Sequence, residues 1–123
     1  MNRWQNWSRL ETAVPRVVEH PRTQAAVVAL VERARDERRP VKMVGSGHSF
    51  SAVAAPEHTL VRPDRLVGIL DVDRDAMRVE VLAGTPLHPL TAELARLGLA
   101  LTNLGDIDVQ TAAGAVSTGT HGT

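Results

Sequence analysis

Val41-Lys42-Met43-Val44-Gly45-Ser46-Gly47-His48-Ser49-Phe50-Ser51 changes character at its midpoint. A short β-branched run, Val41 to Val44, opens into Gly45, Ser46 and Gly47, and a histidine and Ser49 follow at once. Glycines flanking a serine let a backbone turn with positive φ and bring its N–H groups close to a ligand, as in phosphate cradles. The stretch therefore reads as a strand running into an anion-binding loop. Two named motifs are excluded. A Rossmann fingerprint needs Gly or Ala where Phe50 stands, and a P-loop needs Lys-Ser or Lys-Thr after its glycines. Taken alone, the loop is equally compatible with a tight polar turn.

The elements on either side place the loop. Val17 and Val18, between Pro15 and Pro21, predict a short edge strand. Thr23 is the expected N-cap of a helix running to about Arg38, with Val27, Leu30, Val31 and Ala34 on one stripe and the charged run from Glu32 to Arg39 facing solvent. Pro40 ends it. Strand, helix and strand thus put the glycine loop at a carboxyl strand end, where open α/β sheets bind ligands. Small residues follow from Ser51 to Ala55, and Pro56 forbids an immediate long helix.

Further on, Leu60 and Val61 predict a short strand, and Leu66 to Val72 and Met77 to Leu82 a hairpin around Asp73 to Ala76. In its second arm Met77, Val79 and Val81 alternate with Arg78 and Glu80, which marks a half-buried face. A helix with Leu87, Leu90, Leu94 and Leu97 on one stripe ends at Arg96, with Gly98 as its C-cap glycine. Pro89 belongs in a first turn, which favours a start at Pro89 over Pro86. From Leu101 to Thr123 no period is visible, and on the residues alone this segment reads as a solvated tail.

Composition narrows the function classes. The 123 residues suffice for one domain with a modest core, and 43% hydrophobic and 23% charged residues suit a globular protein. Fourteen acidic and 14 basic residues balance, so no global field points to nucleic acid. Cysteine is absent, excluding disulfides, thiolate metal sites and a cysteine nucleophile. The N-terminus, MNRWQNWSRL, has no apolar leader core, and a cytoplasmic setting is the expectation. Trp4 and Trp7 are expected to pin that arm, residues 1–12, to the core. His20, His48, His58, His88 and His121 show no metal-ligand spacing, and no metal is expected. Ser49, Ser51 and Ser117 lack the setting of a hydrolase nucleophile.

Two motifs together carry a resemblance. Gly45-Ser46-Gly47-His48-Ser49-Phe50, and Leu104-Gly105-Asp106-Ile107-Asp108 leading through Gln110-Thr111 to Gly114-Ala115-Val116-Ser117-Thr118-Gly119-Thr120-His121-Gly122, resemble the FAD-binding domain of the vanillyl-alcohol-oxidase superfamily. The nearest resemblance is to its sugar-lactone and alditol oxidases, including gulonolactone and arabinonolactone oxidases. Asn6-Trp7-Ser8 and Ala83-Gly84-Thr85 fit the same pattern.

The resemblance implies an α+β, PCMH-type FAD-binding domain over residues 13–123: a small parallel β subdomain with helices, then the start of an antiparallel β subdomain truncated at Thr123. It implies that Val44, Gly45, Ser46, Gly47, His48 and Ser49 wrap the FAD pyrophosphate, that Asp108, Ala115, Thr118, Gly119, Thr120 and His121 meet the flavin, and that His48 is bonded covalently to its 8α carbon. A neutral imidazole suits that role, being a nucleophile near neutral pH.

The implied whole protein is an FAD-dependent oxidoreductase acting on CH–OH groups. Its substrate would be a sugar lactone or polyol, and its acceptor oxygen or another oxidant. No catalytic residue is expected within this stretch, since the family's substrate-activating residues lie mainly in a separate cap domain. The chain alone is therefore expected to be inactive and prone to self-association through unpaired edges. Membrane association of the whole protein is compatible with the family. Two other readings stay open: a hydroxy-acid dehydrogenase with noncovalent FAD, and a non-enzymatic nucleotide- or phosphate-binding module.

Overall fold

The computed structural model describes residues 3–123, so Met1 and Asn2 of the predicted arm lie outside the described residues. The chain divides into two compact units, Met1–Arg65 and Leu66–Thr123. The first holds a parallel sheet and the second an antiparallel hairpin with helices, a mixed α+β architecture.

In the first unit β1 (Trp4–Gln5) pairs antiparallel with β2 (Thr12–Ala13). The sheet itself comprises β3 (Val17–Glu19), β4 (Val41–Met43) and β5 (Thr59–Val61), all parallel, in the order β3-β5-β4. Val17 and Val18 do form the predicted edge. The strand after the helix, however, lies at the opposite edge, and β5 enters between the two. A central parallel strand is covered on both faces, which is why Thr59, Leu60 and Val61 are all buried without alternation.

Helix α1 (Gln24–Asp36) starts at Thr23, whose Oγ1 accepts the Ala26 amide at 3.1 Å. Leu30 and Ala34 are buried and border a small pocket with Val17 and Thr59, so α1 covers that face of the sheet. Val31, expected on the same stripe, is 53% exposed. The opposite face packs Val44 and Leu60 against Trp4 of the arm, only 3% exposed, with Val18 and Ala13 beside them. Trp4 is the predicted anchor; Trp7 is 62% exposed and plays another part.

Helix α1 stops at Asp36, short of the predicted Arg38. Arg38 adopts φ 52°, its amide donates to the Arg35 carbonyl, and the Arg39 amide returns to Ala34 at 2.8 Å. This is a Schellman cap built without glycine.

In the second unit β6 (Ile69–Asp73) pairs antiparallel with β7 (Arg78–Val81), with a register irregularity at Leu70. Met77, expected on the buried face, instead sits in the turn at φ 51° and is 71% exposed. Val79 and Val81 keep that face and pack with Ile69 against Leu87, Leu90 and Leu94 of α2 (Leu87–Arg96). Gly98 at φ 71° closes α2, with the Leu99 amide returning to Leu94.

Helix α2 begins at Leu87, earlier than expected. Proline lacks only an N–H that a first turn leaves unpaired. Here the Leu87 and His88 amides donate to the carbonyls of Gln110 and Asp108, both at 2.8 Å, and Pro89 needs no partner.

The segment read as a solvated tail instead contains a bonded helix. Thr111 caps α3 (Ala112–Ser117) by accepting the Gly114 amide, Thr111 bridges to Pro86, and the Ala112 and Ala113 amides donate to Thr85 and Ala83. No helix among the described residues is long and apolar enough to cross a membrane.

Candidate functional site

The glycine loop emerges from the carboxyl end of β4, on the side where all three parallel strands end. Val44 is its root, 2% exposed and bonded through its amide to the Val61 carbonyl at 2.9 Å. Gly47 turns the chain at φ 70°, a conformation that disfavours any side chain. Two loop carbonyls are occupied by the N-terminal arm: Trp7 donates its amide to Gly47 at 2.8 Å, and the Asn6 side-chain amide donates to Ser49 at 2.9 Å. The amides of Gly45, Gly47 and His48, by contrast, donate to no described residue. With the Gly47 and Ser49 carbonyls occupied and three amides open, the loop has the polarity an anion such as a pyrophosphate requires.

His48 is half-buried and stacked on Trp7, with ring centroids 5.4 Å apart and planes inclined by 22°. Phe50 meets Trp7 edge-on at 6.1 Å.

Sequence reasoning aligned Asn6 with the family pattern but gave it no role, and expected Trp7 only to pin the arm. The structure makes Asn6 the clasp of the loop. It is 3% exposed, and its Oδ1 accepts the Glu11 amide at 3.1 Å while its Nδ2 holds Ser49. A buried asparagine cannot be told from an exposed one by local pattern, so its burial gave no signal.

The second predicted set lies in the second unit. Asp108 is tied to His88, whose Nδ1 is 2.6 Å from Oδ2, a partner not foreseen for either residue. Ala115 borders an open apolar groove of about 490 Å³ that is also lined by Val79, Val81, Leu87, Leu90 and Val116. Thr118 donates to the Gly114 carbonyl, closing α3, and Gly119 turns at φ 63°. Thr120 accepts from the Gln110 side chain at 3.1 Å and donates its amide to Ala115. His121 is exposed, with Nδ1 near the Gly122 carbonyl.

These residues make a tight backbone knot. A Cβ on Gly122 would sit 2.1 Å from the Leu104 carbonyl oxygen, and one on Gly105 would sit 2.8 Å from the Thr120 methyl. The glycines here are required by close approach. The same pattern within 104–122 that carried the resemblance is the signal for this knot.

Elsewhere, His20, given no role, pairs with Asp64 at 2.7 Å and holds its carboxyl below the ordinary carboxylate range, chiefly by that hydrogen bond. Among the described residues no three His, Asp or Glu side chains gather as a metal-holding group.

Comparison with known proteins identifies the family. Residues 15–123 match the model of the FAD binding domain family. A D-arabinono-1,4-lactone oxidase of Eremothecium gossypii is 41% identical over 97% of this chain and 23% of its own length. An L-gulono-1,4-lactone dehydrogenase of Mycobacterium tuberculosis is 35% identical over 98% of this chain and 28% of its own. Among solved structures, a solvent-stable cholesterol oxidase superposes with a TM-score of 0.85 at 24% identity, covering 98% of this chain and 24% of that one, which speaks to the fold. The chain thus spans about a quarter of the length of these relatives. It belongs to the FAD binding domain family, and FAD is its cofactor.

Proposed function

We propose that this chain is the flavin-holding part of an oxidoreductase that oxidises a CH–OH group of a sugar lactone or polyol. The observation that carries the reading is similarity along nearly the whole chain to proteins named as lactone oxidases and dehydrogenases. The open amides of the β4 loop support the pyrophosphate assignment for Val44 to Ser49. Asp108, Ala115, Thr118, Gly119, Thr120 and His121 form the second contact set, held by the knot around Gly105 and Gly122.

Bound FAD supplies a two-electron acceptor at N5 for the hydride leaving the alcohol carbon, and oxygen or another oxidant then takes the electrons. Within this chain, His48 is the residue we expect to be bonded to the flavin's 8α carbon. Its ring nitrogens make no hydrogen bond among the described residues, which leaves a nucleophile available.

The test is the intact mass, under acid denaturing conditions, of the full-length protein and its His48→Ala variant. Added FAD mass in the first and none in the second is the expected result. Tightly bound flavin with no added mass would favour a noncovalent hydroxy-acid dehydrogenase. A colourless protein that binds a plain nucleotide would favour a phosphate-binding module.

A further inference from the structure

We propose that Trp7 is a positioning residue for His48: its indole fixes the imidazole plane for bonding to the flavin and steadies the positive charge that the ring then acquires. The inference rests on the covalent reading above.

The histidines of this chain divide by how their rings are held. His20, His58, His88 and His121 each have Nδ1 in a hydrogen bond, to Asp64, Thr59, Asp108 and the Gly122 carbonyl. His48 is held by its face instead, against Trp7. The difference is chemical. A hydrogen bond orients an imidazole by occupying one of its two nitrogens, whereas a stacked ring restricts the broad second side-chain torsion and leaves both nitrogens open at the edge. Stacking on Trp7 leaves either nitrogen of His48 able to act as the nucleophile.

Trp7 is also placed where burial does not account for it. Trp4 anchors the arm in the core, while Trp7 stays 62% exposed. Its position comes from the backbone, since its amide is bonded to Gly47, the residue before His48, and the neighbouring Asn6 grips Ser49, the residue after. Phe50 also meets the indole, with its plane at 88° to it. One arm remote in sequence thus grips the backbone on both sides of His48 and stacks on its ring.

The bond-forming step makes the stack useful twice. The unprotonated ring nitrogen of His48 forms a C–N bond to the 8α carbon as a proton leaves that carbon. The electron pair of the broken C–H bond passes through the flavin to oxygen or another two-electron acceptor, which ends reduced. The imidazole keeps the proton on its other nitrogen and becomes a cation. Its centre lies 5.4 Å from the indole, inside the roughly 6 Å within which a tryptophan face attracts a positive charge.

The experiment starts from flavin-free full-length protein, mixed in air with saturating FAD, quenched in acid at intervals and weighed intact. Trp7→Leu should form the acid-stable adduct about 2- to 30-fold more slowly than the unmutated protein, the range such a cation contact supports. Trp7→Phe, which keeps a ring face, should recover most of the rate. Thermal melting of the three proteins separates this from a folding defect, because loss of structure alone would not be rescued by a smaller ring. An adduct formed equally fast in Trp7→Leu, or equally slowly in both variants, would overturn the inference while leaving the covalent reading intact. No adduct in the unmutated protein would remove that reading and the inference with it.

Discussion

Asn6→Leu keeps the approximate volume of a side chain that is 3% exposed and removes its hydrogen bonds. Two partners are left behind: the Ser49 carbonyl, now 2.9 Å from Nδ2, and the Glu11 amide, 3.1 Å from Oδ1. Orphaning a buried polar group costs about 1–3 kcal/mol, and both partners are half-buried, so the lower half of that range applies to each. The total is about 2–4 kcal/mol, a large share of the ~5–15 kcal/mol typical of a folded domain. Both tryptophans, Trp4 and Trp7, lie in the first unit, so urea unfolding followed by tryptophan fluorescence reads this unit selectively. With a slope of about 2 kcal/mol per molar urea, the midpoint should fall by about 1–2 M. Asn6→Asp refines the test. It retains the acceptor for Glu11 but turns a second carboxylate oxygen toward the Ser49 carbonyl, so it should also destabilise, and less so in acid, where the protonated carboxyl can donate to Ser49. A midpoint change below about 0.3 M for Asn6→Leu, or a pH-independent Asn6→Asp, would refute the clasp.

Gly105→Ala should destabilise the second unit by about 1–3 kcal/mol, because the Thr120 methyl that a Cβ would meet is held in place by the Gln110 bond to its hydroxyl. Thr120→Ser keeps that hydroxyl and removes the methyl, so a thermal double-mutant cycle should show most of the loss recovered; strict additivity would contradict this. Arg38→Gly should raise stability by about 0.5–1 kcal/mol in denaturant unfolding, relieving a left-handed backbone at the α1 cap. Asp64, whose folded pKa is depressed by His20, contributes stability that is present above the unfolded carboxylate range and is lost as pH falls through the depressed value. In His20→Ala the Asp64 carboxyl should titrate at higher pH by NMR, with little change in stability because the pair is exposed.

Much of this architecture is legible where local pattern and chemistry coincide. Thr23, the Leu87-Leu90-Leu94 stripe, Gly98 and the Val79/Val81 alternation each mark their element because capping, burial and periodicity act over a few residues. The glycine loop was found on the same grounds, and the second motif through its likeness to a family. What stayed hidden depends on distant partners. Nothing near Val17 says that its neighbour is Thr59 rather than Val41. Pro89 is tolerated because Gln110 and Asp108 accept the amides before it, and Arg38 and Met77 take left-handed conformations that no glycine announces. Helix α3 has no buried residue and hence no stripe; only Thr111 as an N-cap could have marked it. The pairs His20–Asp64 and His88–Asp108 join residues from separate turns of the chain.

The strand order β3-β5-β4 bears on how the chain is made. During synthesis β3 and β4 leave the ribosome with α1 between them, but neither has a strand to pair with until Thr59 to Val61 emerges and inserts between them. A nascent chain ending at Pro56 therefore holds a capped helix and two unpaired strands, with the glycine loop already made but lacking the Val44–Val61 bond at its root. Closing the unit requires β5 to pair with β3 across the intervening helix and strand, a non-local step of the kind that slows folding. Ribosome-stalled chains ending on either side of β5 should differ sharply in protease resistance at the glycine loop, once each is long enough to clear the exit tunnel.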